Sequence, residues 1–79
     1  GYPKKERKEG ISGTCYVTFV VEKDGSISDI KILRGIPKGD GYNQLAMDVV
    51  KDMPAWKPGL QYGKRVRVQF NLPIRFVVR

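Results

Sequence analysis

From Gly13 the chain alternates with period two: Cys15, Val17, Phe19 and Val21 fall on one side, and Tyr16, Thr18, Val20 and Glu22 on the other. That period predicts a strand, and one face apolar with the other half apolar places it in the middle of a sheet. Lys23-Asp24-Gly25-Ser26 supplies Asp-Gly hairpin chemistry, so residues 27–34 return as an antiparallel second strand with Ile30 and Ile32 on one side. After a loop over residues 35–40, Tyr42, Leu45, Ala46, Val49, Val50 and Met53 recur at helical spacing and predict one amphipathic helix. Asp40 is its expected N-cap and Pro54 its stop, with Asn43, Gln44, Asp48, Lys51 and Asp52 on the wet side.

Residues 55–63, which include Trp56, Pro58 and Gly59, read as a second loop. Beyond it Val66, Val68, Phe70, Leu72, Ile74, Phe76 and Val78 alternate with Arg65, Arg67, Gln69, Asn71 and Arg75. This predicts a long third strand, greasy on one face and basic on the other. Pro73 lies within it and has no N–H to give a ladder, which marks an edge, a bend or a bulge. At the other end, residues 2–10 read as a short polar helix with Pro3 at its start and Gly10 as its stop. Two turns are too few to stand alone, so Tyr2 and Ile11 are its expected anchors.

The helix is long enough to carry the chain across the sheet, and the first strand is the most apolar on both faces. The expected fold is therefore α+β: a three-stranded antiparallel-type sheet in the order two-one-three. The main helix and the short N-terminal helix pack on one face. The third strand is then an edge, and a long edge offers unpaired N–H and C=O groups to an extended partner.

Length and charge narrow the function. The 79 residues suit one domain, 1–79. No stretch approaches the ~20 apolar residues of a membrane helix, and any targeting or anchoring segment is expected to lie upstream of Tyr2. Cys15 has no second cysteine to pair with and reads as a buried structural thiol. There is no histidine and no carboxylate pair at catalytic or metal-binding spacing, so neither an enzyme nor a metal or cofactor site is expected. The net charge of +7 favours acidic partners and keeps a second class open, a basic nucleic-acid-binding module using Arg65, Arg67 and Arg75 with Lys4, Lys5, Arg7 and Lys8. Such a sheet needs exposed rings between its cations, where this strand has Gln69 and Asn71.

Several segments together resemble the C-terminal domain of the TonB energy transducers of Gram-negative bacteria, with the wording of Bacteroidetes-type members. They are Tyr2-Pro3, Gly10-Ile11-Ser12-Gly13-Thr14, the strand through Val21, Asp24-Gly25-Ser26-Ile27, Ile32-Leu33-Arg34-Gly35, Met53-Pro54-Ala55-Trp56-Lys57-Pro58-Gly59, Gly63-Lys64-Arg65-Val66 and Leu72-Pro73-Ile74-Arg75-Phe76. The resemblance implies a periplasmic domain of an inner-membrane-anchored protein, driven through ExbB and ExbD. Such a domain binds the TonB box and plug of outer-membrane transporters, and strand-mediated homodimers are a further expectation. It carries the pairing edge onto Arg65, Val66, Arg67, Val68, Gln69, Phe70, Asn71, Leu72, Ile74 and Arg75, and the plug-facing contact onto Tyr2 and Lys5. Tyr2, Pro3, Gly13, Asp24, Gly25, Trp56, Pro58 and Gly59 fall on the family's structural positions. The same domain appended to another membrane sensor or peptidase would keep the fold and change the biology.

Overall fold

Strand β1 (Gly13–Val21) is the centre of the molecule, paired antiparallel with β2 (Ile27–Arg34) on one side and β5 (Val68–Phe76) on the other. This computed structural model describes residues 2–78. The order β2-β1-β5 is the predicted two-one-three, with α2 (Asp40–Lys51) as the crossover and α1 (Lys4–Lys8) as the short N-terminal helix. Between β1 and β5 the register runs from Gly13 opposite Phe76 to Val21 opposite Val68 without a slip.

The β1–β2 ladder slips twice, between Tyr16 and Val17 and between Thr18 and Val20. Asp29 marks the second slip with a φ of 51°, a left-handed conformation that Asp tolerates better than most residues. The bulge changes the phase of the strand, so Ile27 joins Ile30 and Ile32 against the core. Plain alternation had supplied only the latter two.

Cys15, Val17, Phe19 and Val21 are fully buried beneath Tyr42, Ala46 and Val50 of α2, with Ile36 and Phe76 closing the ends of the core. The helical stripe needs two corrections. Val49 stays 45% exposed, and Met47, off the stripe, reaches the core with its longer and more adaptable side chain. The N-cap is Gly39 rather than Asp40. Asn43, expected on the wet side, is half-buried. Its Oδ1 accepts from the Ile36 N–H at 2.9 Å and its Nδ2 donates to the Ile36 carbonyl at 3.2 Å, which ties the preceding loop to the helix.

α1 lies on α2, and although its residues are all polar, as expected, Glu6 is buried at 4% exposure. The anchors are those expected. Tyr2 meets Tyr42 and Phe76 edge-on at 5.6 and 5.5 Å, and Ile11 packs on the core while its carbonyl accepts from the Tyr42 hydroxyl at 2.7 Å.

The third strand is divided, which corrects the single run read from alternation. Gly59–Gln61 (β3) and Lys64–Val66 (β4) form a separate hairpin around Tyr62 and Gly63, whose φ values are 52° and 75°. Two successive positive φ angles are what a tight two-residue hairpin requires. Residues 59–61 are therefore strand rather than loop, and Val66 pairs with Gly59 instead of β1.

Candidate binding edge

β5 presents Val68, Phe70, Leu72 and Ile74 half-buried toward the helix layer and Phe76 fully so, while Gln69, Asn71, Pro73 and Arg75 are exposed. β1 occupies one side of the strand, and among the described residues no strand occupies the other. The backbone groups of that outer side are free to pair.

The sheet face away from the helices is organised by register. Tyr16 lies between Arg34 and Pro73, Thr18 between Lys31 and Asn71, and Val20 between Ser28 and Gln69. Thr18 and Val20 are buried at 6% and 8% exposure by these neighbours, and Gln69 Nε2 donates to Thr18 Oγ1 at 2.9 Å. The rings of Phe70 and Phe76 belong to the core clusters around Trp56 and Tyr42.

Three of the sequence-predicted residues lie off this edge. Arg65 and Val66 are in the β3–β4 hairpin. Arg67 sits at the break between β4 and β5 and spends its guanidinium on Glu22 at the end of β1. Its Nε donates to Oε1 at 2.6 Å and its Nη2 to Oε2 at 3.2 Å. The Arg67 hydrogen bond and a second from Ser28 hold the Glu22 carboxyl below the usual carboxylate range, and the same bond raises Arg67.

Tyr2 does reach the end of β5 through Phe76. Lys5 does not: it lines a shallow recess with Glu9, Ile11, Lys38 and Asp40. Arg7 shares a recess with Tyr2, Val77 and Val78, just past the end of β5. Sequence reasoning counted Arg7 only among the basic residues. With helical spacing so short, the face of α1 is settled by which side Glu6 buries.

The structural positions behave as supports. The Pro3 carbonyl accepts the first N–H bond of α1, from Arg7 at 3.1 Å. Gly13 packs so closely on Ile36 that a Cβ would lie 3.2 Å from its side chain. Asp24 Oδ1 accepts from the Ser26 N–H at 2.9 Å and its hydroxyl at 2.6 Å, which holds its carboxyl low and fixes the hairpin turn. Gly25, at φ 87°, leaves room for the Trp56 carbonyl and accepts from the Trp56 N–H at 2.9 Å. The Trp56 ring rests on Phe19 and Phe70, each centroid 5.2 Å away. Pro58 is half-buried, and a Cβ on Gly59 would stand 2.6 Å from the Val68 side chain.

Among the described residues no three His, Cys, Asp or Glu gather closely enough to hold a metal ion. Burial pushes the Cys15 thiol up, away from the thiolate form that would make it reactive.

A family model described as the Gram-negative bacterial TonB protein C-terminal matches residues 1–78. The chain belongs to this TonB C-terminal family. Two curated relatives named Protein TonB, from two strains of Helicobacter pylori, are each 36% identical over 50 residues, which is 63% of this chain. The match spans 18% of one relative and 17% of the other, so the chain covers a small part of their length. Two NMR solution structures of the Helicobacter pylori TonB C-terminal domain share the fold. The longer segment aligns with all of this chain and 69% of its own at a TM-score of 0.76 and 25% identity. The shorter aligns with 96% of this chain and 77% of its own at 0.66 and 27%. The TonB C-terminal fold thus accounts for the β2-β1-β5 sheet and its helices together.

Proposed function

We infer that this chain is the receptor-engaging, periplasmic end of a TonB-type energy transducer. An inner-membrane segment coupled to ExbB and ExbD would anchor it, and the TonB box of an outer-membrane transporter would add to it as a further strand along β5. The observation that carries the reading is the unpaired outer side of β5, residues 68–76, in a chain of this family. Pro73 agrees with it. Prolines in sheets sit where no ladder donor is needed, and neighbouring N–H groups point to opposite sides of a strand. Outward N–H groups then belong to Gln69, Asn71 and Arg75, which share the parity of Pro73 in an unslipped register.

Some four to six ladder bonds at a net of about 0.5–1.5 kcal/mol each, less the ordering entropy of the peptide, give a roughly micromolar coupling. That strength suits a contact that is made and broken. The rival nucleic-acid reading finds no stacking ring on β5 itself, because Phe70 and Phe76 face the core.

The experiment is a titration of the isotope-labelled domain with a synthetic TonB-box peptide, followed through amide NMR shifts. Saturable shifts concentrated on residues 68–76 and around Tyr2 are expected. An unmoved β5, with shifts on adding single-stranded nucleic acid, would overturn the reading.

A further inference from the structure

The β3–β4 hairpin carries a feature that strand addition at β5 does not use. Tyr62 at the hairpin tip is 96% exposed, and Leu60, opposite Arg65 in the middle of the hairpin, is 70% exposed. Tyr62 also holds a φ of 52°, where Asn or Gly is at ease and an aromatic residue is disfavoured by its own Cβ. The ring recovers no packing for that strain. A solvent-facing aromatic kept in a disfavoured conformation points to a use outside the chain.

The recess beside the tip is lined by cations and by no carboxylate. Residues 53–79 contain six Lys and Arg and no Asp or Glu. Lys23, Lys64 and Arg65 share a shallow recess with Tyr62, and among the described residues none of these three cations makes an ion pair. Among the described residues the hairpin pairs only with itself. A narrow convex tip offers little flat area to a folded protein, whereas a fluid interface closes around it without a preformed pocket. Tyrosine at headgroup depth, an aliphatic side chain beside it and a collar of cations are the elements of interfacial binding.

We propose that the β3–β4 hairpin docks the domain onto an anionic phospholipid surface, with Tyr62 and Leu60 at the level of the headgroups and Lys64, Arg65 and Lys23 against the phosphates. The inference stands apart from strand addition, since the tip lies off the β5 edge.

The test is co-sedimentation with vesicles of phosphatidylcholine alone and of phosphatidylcholine doped with phosphatidylglycerol, at low and moderate salt. Binding is expected only to the doped vesicles and falls as salt is added. Tyr62→Asn removes the ring and suits the turn better, so a several-fold loss of binding in that variant is not a loss of fold. Lys64→Gln is expected to weaken binding roughly fivefold. Both variants keep the amide response of β5 to box peptide, which separates failure here from failure of strand addition. Equal binding to both vesicle types, unchanged binding by Tyr62→Asn, or binding to soluble polyglutamate with vesicles ignored would each overturn the proposal.

Discussion

The Glu6 carboxylate rests against Gly41 in the first turn of α2, its Oε2 buried and without a hydrogen-bond partner among the described residues. The positive end of a helix lessens the cost of burying such a group without a partner. That carboxylate, with the flanking Tyr2, Pro3 and Ile11, sets the five-residue helix against α2 and the core. A Cβ at Gly41 would take the place of Oε2 and come within 2.7 Å of the Pro3 ring. Gly41→Ala should therefore lose about 1–3 kcal/mol to overpacking, partly offset by about 1 kcal/mol of helix propensity. Urea denaturation measures the sum, and amide exchange in residues 4–8 should rise. Unchanged protection there would mean that α1 is held by something else.

Trp56 falls on a structural position of the family, and its contacts with Phe19 and Phe70 suit a packed anchor rather than a binding ring. Truncating a large core aromatic costs about 3–5 kcal/mol. With Trp56 half-buried, Trp56→Ala should fall near the lower figure, about 3 kcal/mol. The folded fraction should still bind box peptide with its affinity within a factor of about two, since the lost ring lies off the outer edge. A variant of unaltered stability and lost affinity would reverse the assignment.

The Arg67–Glu22 pair makes a pH prediction whose sign follows from linkage. Glu22 is held below its ordinary value in the folded chain, so the unfolded chain binds more protons in between and stability rises with pH across that window. The contribution is complete above the usual glutamate range and disappears as pH falls through the lowered folded-state value. Removing the guanidinium with Arg67→Gln should lower stability at neutral pH, and the gap from the wild type should close in acid. Asp24 is lowered by Ser26 in both proteins and cancels from the difference. Denaturation midpoints across the acid range are the measurement, and a constant gap would show that the pair contributes through packing alone.

What the sequence made legible is what period and turn chemistry encode. β1 was readable because Cys15, Val17, Phe19 and Val21 are all apolar, and Asp24-Gly25 named its own turn. The bulge at Asp29 was not readable, since a phase shift in β2 appears only once Ile27 is seen beside Ile30. The β3–β4 hairpin was hidden for a related reason. Tyr62-Gly63 lacks the Asn or Asp that usually announces such a turn, and Val66 continues the alternation of β5 while pairing elsewhere. Of the candidate site, the edge was legible through Pro73. The diversion of Arg67 to Glu22 and the turning of Arg7 rather than Lys5 toward the end of β5 depend on contacts distant in sequence.

The edge itself is tested most cleanly at Gln69, because its side chain and its backbone serve different partners. The amide side chain bonds Thr18 across the β1–β5 pair, whereas under the proposed parity its N–H faces outward. Gln69→Ala removes the first and keeps the second, so it should cost about 1 kcal/mol of stability and leave box-peptide affinity unchanged. Gln69→Pro removes both. It should match the alanine variant in stability to within about 1 kcal/mol, because no β1 ladder bond is lost, yet bind the peptide several-fold more weakly. Phe70→Pro is the converse control: its N–H has the opposite parity, so it should break the β1 ladder and unfold the sheet edge. Equal peptide affinities for Gln69→Ala and Gln69→Pro would place the incoming strand somewhere other than β5.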